Sequence, residues 1–166
     1  TGLADAGGHL ALVDRDAEGL QATADALARR PGAATRRVSL HVADLSDRAV
    51  WPALPAVVAA THPRVDLLVN NAGVALGGRF EEVAAEDFDW LMRINFEAVV
   101  GLTRAFLPAL RAAGGPARVV NVSSLYGLIS PPGQAAYSAS KFAVRGFSNA
   151  LRQELRGSPV GVTVVH

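Results

Sequence analysis

Short apolar runs alternate with longer stretches of helical periodicity along the whole chain, and this alternation restricts the folds open to it. Five runs have the length and apolar character of buried strands: 9–14, 37–42, 65–70, 118–123 and 160–165. Helical patterns separate them, including long ones at 17–30, 87–112 and 134–156. No hairpin signal joins two strands, so consecutive strands are expected to run parallel. The pattern predicts an α/β fold: a doubly wound parallel sheet of Rossmann type in three layers, α/β/α.

The chain shows no internal repeat, linker or low-complexity segment, so residues 1–166 are predicted to form a single Rossmann-type domain. The spacing of Thr1-Gly2 to the next glycines, 7 and 8, does not match a phosphate-binding loop, and a strand begins at once at His9. Residues 1–6 are therefore predicted to be the last turns of a helix. We expect the domain to be incomplete at both ends and to lack a first strand between those at 9–14 and 65–70.

The composition excludes several classes of protein. Sixteen basic and fifteen acidic residues leave a net charge of +1 without runs of like charge, which argues against a nucleic-acid-binding surface. No apolar stretch approaches the ~20 residues that cross a bilayer. The absence of cysteine excludes a disulfide framework, a cysteine metal site and a thiol nucleophile. We expect no metal site, no membrane partner and a cytoplasmic location.

The cationic side chains are unevenly divided: fifteen are arginine and one, at position 141, is lysine. Tyr137 precedes this lysine by four residues within the helix predicted at 134–156, so the two side chains share one helix face. An ammonium about 5 Å from a phenolate stabilises it by about 3 kcal/mol at an effective dielectric near 20. The pair is thus suited to proton exchange at Tyr137.

Several polar residues that precede this pair lie at informative positions in the sequence. Ser124 lies thirteen residues before Tyr137, Asn95 lies within a predicted helix, and the run Asn-Asn-Ala-Gly at 70–73 follows a predicted strand. Together with Tyr137-x-x-x-Lys141, this set resembles the classical short-chain dehydrogenase/reductase family. The resemblance implies an oxidoreductase that interconverts a secondary alcohol and a ketone with a nicotinamide cofactor. It further implies that Tyr137 transfers the hydroxyl proton, Ser124 holds the oxygen, Lys141 tunes Tyr137 and binds cofactor ribose, and Asn95 fixes a helix distortion and a water linked to Lys141.

Ser123 is the obvious rival of Ser124, and the thirteen-residue interval to Tyr137 selects Ser124. A serine hydrolase is disfavoured because no G-x-S-x-G surrounds either serine and no histidine has sequence support as the base.

Two neighbouring residues bear on the choice of cofactor. Asp14 ends the predicted strand 9–14, where a carboxylate accepts hydrogen bonds from adenosine ribose hydroxyls and repels a 2′-phosphate. Arg15 could instead pair with such a phosphate. A strand-terminal aspartate can also be a plain helix N-cap, as Asp16 could be. We predict NAD in preference to NADP.

The resemblance assigns other residues to the cofactor as well. Asp44 and Leu45 look like the family's adenine-contacting pair, and Asn71, Ala72 and Gly73 form a turn beside the adenosine. Gly73 lets the backbone approach closely. Tyr137 and Lys141 are expected to contact the cofactor too.

The predicted substrate and partners follow from apolar surfaces. The residues after Ser124 suggest an uncharged, fairly apolar alcohol or ketone: Leu125, Tyr126, Leu128, Ile129, Pro131 and Pro132. The helices at 87–112 and 134–156 are apolar on more than one side, which predicts a homodimer or homotetramer formed through them. The family habitually forms both.

Two alternatives remain from the sequence. A nucleotide-sugar epimerase or dehydratase of the extended branch shares Y-x-x-x-K, although the compact spacing and Asn95 argue against it. The second alternative is a catalytically silent nucleotide-sensing or scaffold protein. Such proteins usually lose at least one of the family's four site residues, whereas this chain keeps all four: Asn95, Ser124, Tyr137 and Lys141.

Overall fold

A computed structural model describes residues 2–166, and the chain divides into two compact units, residues 1–63 and 64–166. A helix at Gly2–Asp5, α1, agrees with the helical turns predicted at 1–6, although Thr1 lies outside the described residues.

The first unit contains a two-stranded parallel sheet. Strand β1 (Leu10–Asp14) pairs with β2 (Val38–Val42), and Asp14 lies opposite Val42 at their carboxyl ends. Helix α2 (Ala17–Ala28) connects the strands, and Asp16 caps it by accepting a hydrogen bond from the Gly19 amide. A short 3₁₀ turn at Ala33–Thr35 precedes β2, and helix α3 (Val50–Ala59) follows it.

One polar cluster in the first unit surrounds the side chain of Ser39. Its Oγ contacts His41 Nε2 at 2.8 Å and His62 Nε2 at 2.9 Å. His62 is only 6% exposed, and burial lowers its pKa, with smaller contributions from Arg37, His9 and His41. The charged groups that act on His62 are thus imidazoles and a guanidinium.

The second unit contains a three-stranded parallel sheet in the order β3–β4–β5, formed by Leu67–Asn70, Ala117–Val122 and Val160–Val165. The connection from β3 to β4 holds helix α4 (Ala85–Met92), a π turn (Arg93–Glu97) and helix α5 (Ala98–Arg111). The connection from β4 to β5 holds a 3₁₀ turn (Leu125–Gly127) and helix α6 (Ala135–Glu154).

A polar network lies in the core of the second unit. Asn70 and Asn121 occupy paired positions on β3 and β4, and Asn70 Nδ2 donates to Asn121 Oδ1 at 2.8 Å and to Thr103 Oγ1 at 3.1 Å. Asn121 Nδ2 donates to Ser148 Oγ at 2.9 Å. The network joins two strands to α5 and α6, so it holds both helices against the sheet.

The predicted α/β fold with parallel strands is confirmed, and all five predicted strands form within two residues of their expected bounds. The strands predicted to flank an absent one, β1 and β3, belong to different sheets. The long helix predicted at 87–112 differs most, because the π turn divides it. No helix within residues 2–166 combines the length and apolarity needed to span a membrane.

Candidate active site

Helix α6 carries Tyr137 and Lys141 one turn apart, as the spacing predicts. The Lys141 side chain is buried, with the residue 4% exposed, and its Nζ donates to the Val122 carbonyl at 3.1 Å. Nζ also lies 5.6 Å from the centre of the Tyr137 ring. The end of β4 therefore holds the ammonium beside the phenol.

Burial lowers the pKa of Lys141, because desolvation penalises the charged ammonium. Among the described residues, Val122 supplies the one acceptor on Nζ. An ammonium has three N–H donors, so two remain available to an oxygen-rich ligand.

Ser124 lies directly after β4, at the carboxyl edge of the sheet. Its Oγ accepts a hydrogen bond from the Tyr126 amide at 3.2 Å, which leaves its own O–H to donate elsewhere. The Tyr126 ring packs edge-to-face against Tyr137, with centres 5.9 Å apart. Tyr126 thus contacts both predicted site residues, through its backbone and its ring.

Asn95 lies in the middle of the π turn at Arg93–Glu97 and is 1% exposed. Its Oδ1 accepts from the Val74 amide at 2.8 Å, and its Nδ2 donates to the Val74 carbonyl at 2.9 Å. Nδ2 also donates to Ser140 Oγ at 3.2 Å. The amide therefore binds the segment after β3 and helix α6 at once.

The exposed turn at 71–73 follows β3, and Gly73 brings its backbone close to this group. A Cβ built on Gly73 would lie 3.4 Å from Asn95 Oδ1 and 3.5 Å from Lys141 Nζ. A larger side chain would fill the space beside the ammonium. The second unit thus brings Gly73, Asn95, Tyr137 and Lys141 together, with Ser124 joined through Tyr126.

The remaining predicted cofactor residues belong to the first unit. Asp14 Oδ1 accepts from the Asp16 amide at 3.0 Å, and Asp14 O accepts from the Ala43 amide at 2.9 Å. Asp44 accepts from the Ser46 amide at 2.8 Å, and this bond holds the pKa of its carboxyl below the usual value. Arg15 and Asp44 are exposed, whereas Leu45 is half-buried and its carbonyl accepts from Trp51 Nε1 at 3.0 Å. Asp14 ends β1 and Asp44 follows β2, at the same edge of their sheet.

Two serines of the site lie outside the sequence-based prediction. Ser123, rejected as the rival of Ser124, points its hydroxyl at the Lys141 carbonyl at 3.1 Å and is buried. Ser140, which directly precedes Lys141, bonds Asn95 and the Tyr137 carbonyl. The signal that could have found them is their position, next to Ser124 and to Lys141 respectively.

Comparisons with known proteins show which family this chain is similar to. The sequence model of the short chain dehydrogenase family matches residues 1–166. An oxidoreductase called SadH from Mycobacterium tuberculosis is 45% identical over 159 residues, which cover 95% of this chain and 56% of that relative. The chain therefore spans little more than half of that relative's length.

Solved structures of short-chain dehydrogenases are also similar to this chain. A short-chain dehydrogenase/reductase from Burkholderia phymatum in complex with NAD superposes with a TM-score of 0.87 at 35% identity, over 94% of this chain and 55% of the other. A metagenomic short-chain oxidoreductase in complex with NADP gives 0.88 at 36% identity, over 98% of this chain and 72% of the other. These matches confirm the predicted Rossmann-type fold class.

Proposed function

The chain belongs to the short-chain dehydrogenase family, and on that basis we propose that the protein is an NAD(P)-dependent oxidoreductase that interconverts a secondary alcohol and a ketone. The observation that carries this proposal is the buried ammonium of Lys141, 5.6 Å from the Tyr137 ring centre and hydrogen-bonded to Val122. No carboxylate among residues 2–166 pairs with this ammonium. Burying such a cation is costly, and a role at Tyr137 and at a bound cofactor accounts for it.

Tyr137 is the proposed acid–base. In the oxidative direction it accepts the proton of the substrate hydroxyl, and in the reductive direction it donates a proton to the carbonyl oxygen. The ammonium of Lys141 lies 5.6 Å from the centre of the Tyr137 ring, where it would attract the negative charge that develops on the Tyr137 oxygen during this exchange.

Ser124 is proposed to donate its hydroxyl hydrogen to the substrate oxygen. Its oxygen already accepts one hydrogen bond, from the Tyr126 amide, and its O–H remains available to donate. Asn95 is proposed to act indirectly, by holding the Val74 segment and α6 in position, as its three hydrogen bonds indicate.

The residues of the second unit fit a dinucleotide cofactor. Lys141 has two donors available for ribose hydroxyls, and Gly73 leaves room beside it. A bound nicotinamide would exchange a hydride with the carbinol carbon of the substrate. We propose that Asn71, Ala72 and Gly73 border the cofactor, and that Tyr137 and Lys141 contact it.

NAD is the cofactor we propose in preference to NADP. Asp14 ends β1 with an exposed carboxylate, which favours a free ribose diol over a 2′-phosphate. The exposed Arg15 next to it is the feature that would favour NADP, and relatives in complex with either cofactor are known. Asp44 and Leu45 are proposed to contact the adenine.

The proposed substrate is an uncharged, fairly apolar alcohol or ketone. Three apolar residues shortly after Ser124 are largely exposed: Leu125 (56%), Leu128 (43%) and Ile129 (50%). Exposed apolar side chains beside reacting groups favour apolar ligands.

We further propose a homodimer or homotetramer in the cytoplasm. Phe142 on α6 is 40% exposed although it lies on the helix that carries the site residues, and a partner subunit would bury it. Light scattering on the purified full-length protein measures the subunit number.

A cofactor-reduction screen of the full-length protein tests the proposed activity. Secondary alcohols are tested with the oxidised and ketones with the reduced form of both nicotinamides, and nucleotide sugars are tested by analysis of their products. Turnover of an apolar alcohol is the expected result. Turnover of nucleotide sugars alone would favour an extended-branch enzyme, and cofactor binding without any turnover would favour a silent sensor.

The Tyr137→Phe variant assigns the proton transfer. We expect kcat to fall by about 10³-fold or more, because the phenol that exchanges the proton is lost. Cofactor affinity, measured by calorimetry, should stay within about threefold, since most cofactor contacts remain. Equal losses of turnover and cofactor binding would show that Tyr137 is a binding residue instead.

A further inference from the structure

Ser140 is fully buried in α6 between Tyr137 and Lys141, and its hydroxyl joins two parts of the site. Its Oγ accepts a hydrogen bond from Asn95 Nδ2 at 3.2 Å and donates one to the Tyr137 carbonyl at 2.7 Å. The direction of both bonds is fixed, because an amide nitrogen can only donate and a carbonyl can only accept.

The other bonds of Asn95 extend this connection beyond the helix. Both remaining bonds of its amide go to the backbone of Val74, one residue after Gly73. A continuous path therefore runs from Val74 through Asn95 and Ser140 to the backbone of Tyr137. Ser140 supplies the bond that ties Asn95 to the helix of Tyr137 and Lys141.

We propose that Ser140 is a positioning residue of the reaction, which fixes Asn95 and the Val74 segment relative to Tyr137 and Lys141. This inference rests on the proposed function where it concerns turnover. Ser140 touches neither substrate nor reacting atoms in this scheme, and its effect is transmitted through Asn95.

The same helix offers a matched control at Ser148. This serine is also fully buried, donates to its own helix at the Val144 carbonyl at 2.7 Å, and accepts from Asn121 Nδ2 at 2.9 Å. Ser148→Ala therefore removes the same number and kind of bonds two turns further from Tyr137. The pair separates a general loss of stability from a loss of positioning.

The experiment compares Ser140→Ala and Ser148→Ala in the full-length protein. We expect Ser140→Ala to lower kcat by about tenfold and shift the pH–rate profile, with cofactor affinity and KM changed by about twofold or less. Ser148→Ala should lower the urea midpoint at least as much but leave kcat and the pH profile unchanged. Equal effects of the two variants on kcat would overturn the proposal.

Hydrogen exchange gives a readout that does not depend on activity. The Val74 amide donates to Asn95 Oδ1, so its exchange should accelerate by roughly tenfold in Ser140→Ala and stay unchanged in Ser148→Ala. Unaltered protection in Ser140→Ala would contradict the inference. If the wild-type protein shows no turnover, the proposed function fails and this measurement alone decides the role of Ser140.

Ser140→Thr retains the hydroxyl and provides the rescue. A threonine in a helix can bond the same carbonyl, so kcat should return to within about threefold of wild type. A Thr variant with wild-type stability and the full loss of kcat would show that the hydroxyl is not the cause. If the added methyl prevents folding, the two alanine variants decide the question.

Discussion

Lys141 illustrates why the residue type matters at a buried position. Its ammonium reaches the Val122 carbonyl while 96% of the residue's surface is covered, and burial lowers its pKa. Arginine, the other cation of this chain, is planar and longer, and would place its charge elsewhere. The cation beside Tyr137 therefore depends on lysine chemistry and not on positive charge alone.

Asp14 carries a prediction about cofactor choice. Asp14→Ala should weaken NAD binding about tenfold, because the carboxylate that accepts hydrogen bonds from the ribose hydroxyls is lost. NADP binding should stay unchanged or become stronger, because the same carboxylate repels a 2′-phosphate. Calorimetric titration of the full-length protein with both cofactors measures the change. Asp16→Ala is the control, since Asp16 caps α2 by bonding the Gly19 amide. A larger loss for NADP than for NAD would refute the assignment.

At the scale of single elements, the 3₁₀ turn at Leu125–Gly127 is tightly packed against α6. A Cβ on Gly127 would lie 2.5 Å from Ser123 Oγ and 3.0 Å from the Lys141 carbonyl oxygen. Gly127→Ala must displace the helix backbone or break the bond from Ser123 to Lys141. Position 127 therefore requires glycine, because the turn lies too close to Ser123 and to the backbone of α6 for a side chain to fit.

Gly127→Ala should lower the free energy of unfolding by about 2 kcal/mol, the usual cost of overpacking. At Gly146, in the middle of α6, an added Cβ would meet no described atom within 4 Å apart from the adjacent helix backbone. Gly146→Ala should raise the same quantity by about 1 kcal/mol, since alanine favours helix over glycine. Urea unfolding measures the free energy of unfolding of both variants. A Gly127→Ala variant more stable than the wild type would contradict the close packing at Gly127.

The elements differ in how far the sequence could predict them. Strands and helices follow from local apolar patterns, and these agree with the structure for β1 to β5 and for α6. The π turn at Arg93–Glu97 could not be derived from periodicity, because side-chain bonds from Asn95 to Val74, distant in sequence, accompany it. Ser123 and Ser140 escaped prediction for the same reason, since their partners are set by packing between elements.

At the scale of the whole molecule, we expect the cluster around Ser39 to contribute to the loss of stability in acid. The pKa of His62 is lowered in the folded state by burial and then by Arg37, His9 and His41. The unfolded chain therefore binds a proton more readily, and stability is lost as the pH falls below the ordinary histidine value of 6.5. No such loss occurs above that value, where His62 is neutral in both states.

We expect the wild-type free energy of unfolding to fall more steeply between pH 7 and pH 5 than that of His62→Gln. Glutamine keeps a hydrogen-bonding group towards Ser39 but does not titrate. Urea unfolding at a series of pH values measures the two slopes. Parallel slopes would mean that His62 does not contribute to the acid sensitivity.

The chain has a single lysine in 166 residues, and its side chain is buried, so chemical labelling of this lysine can measure how often the structure around it opens. Acylating reagents have only one side-chain amine to find along this stretch, and they reach it only when the surrounding structure opens. The extent of labelling at position 141, followed by mass spectrometry, thus records how often the structure around Lys141 opens, and a ligand bound beside Tyr137 and Lys141 should slow the labelling.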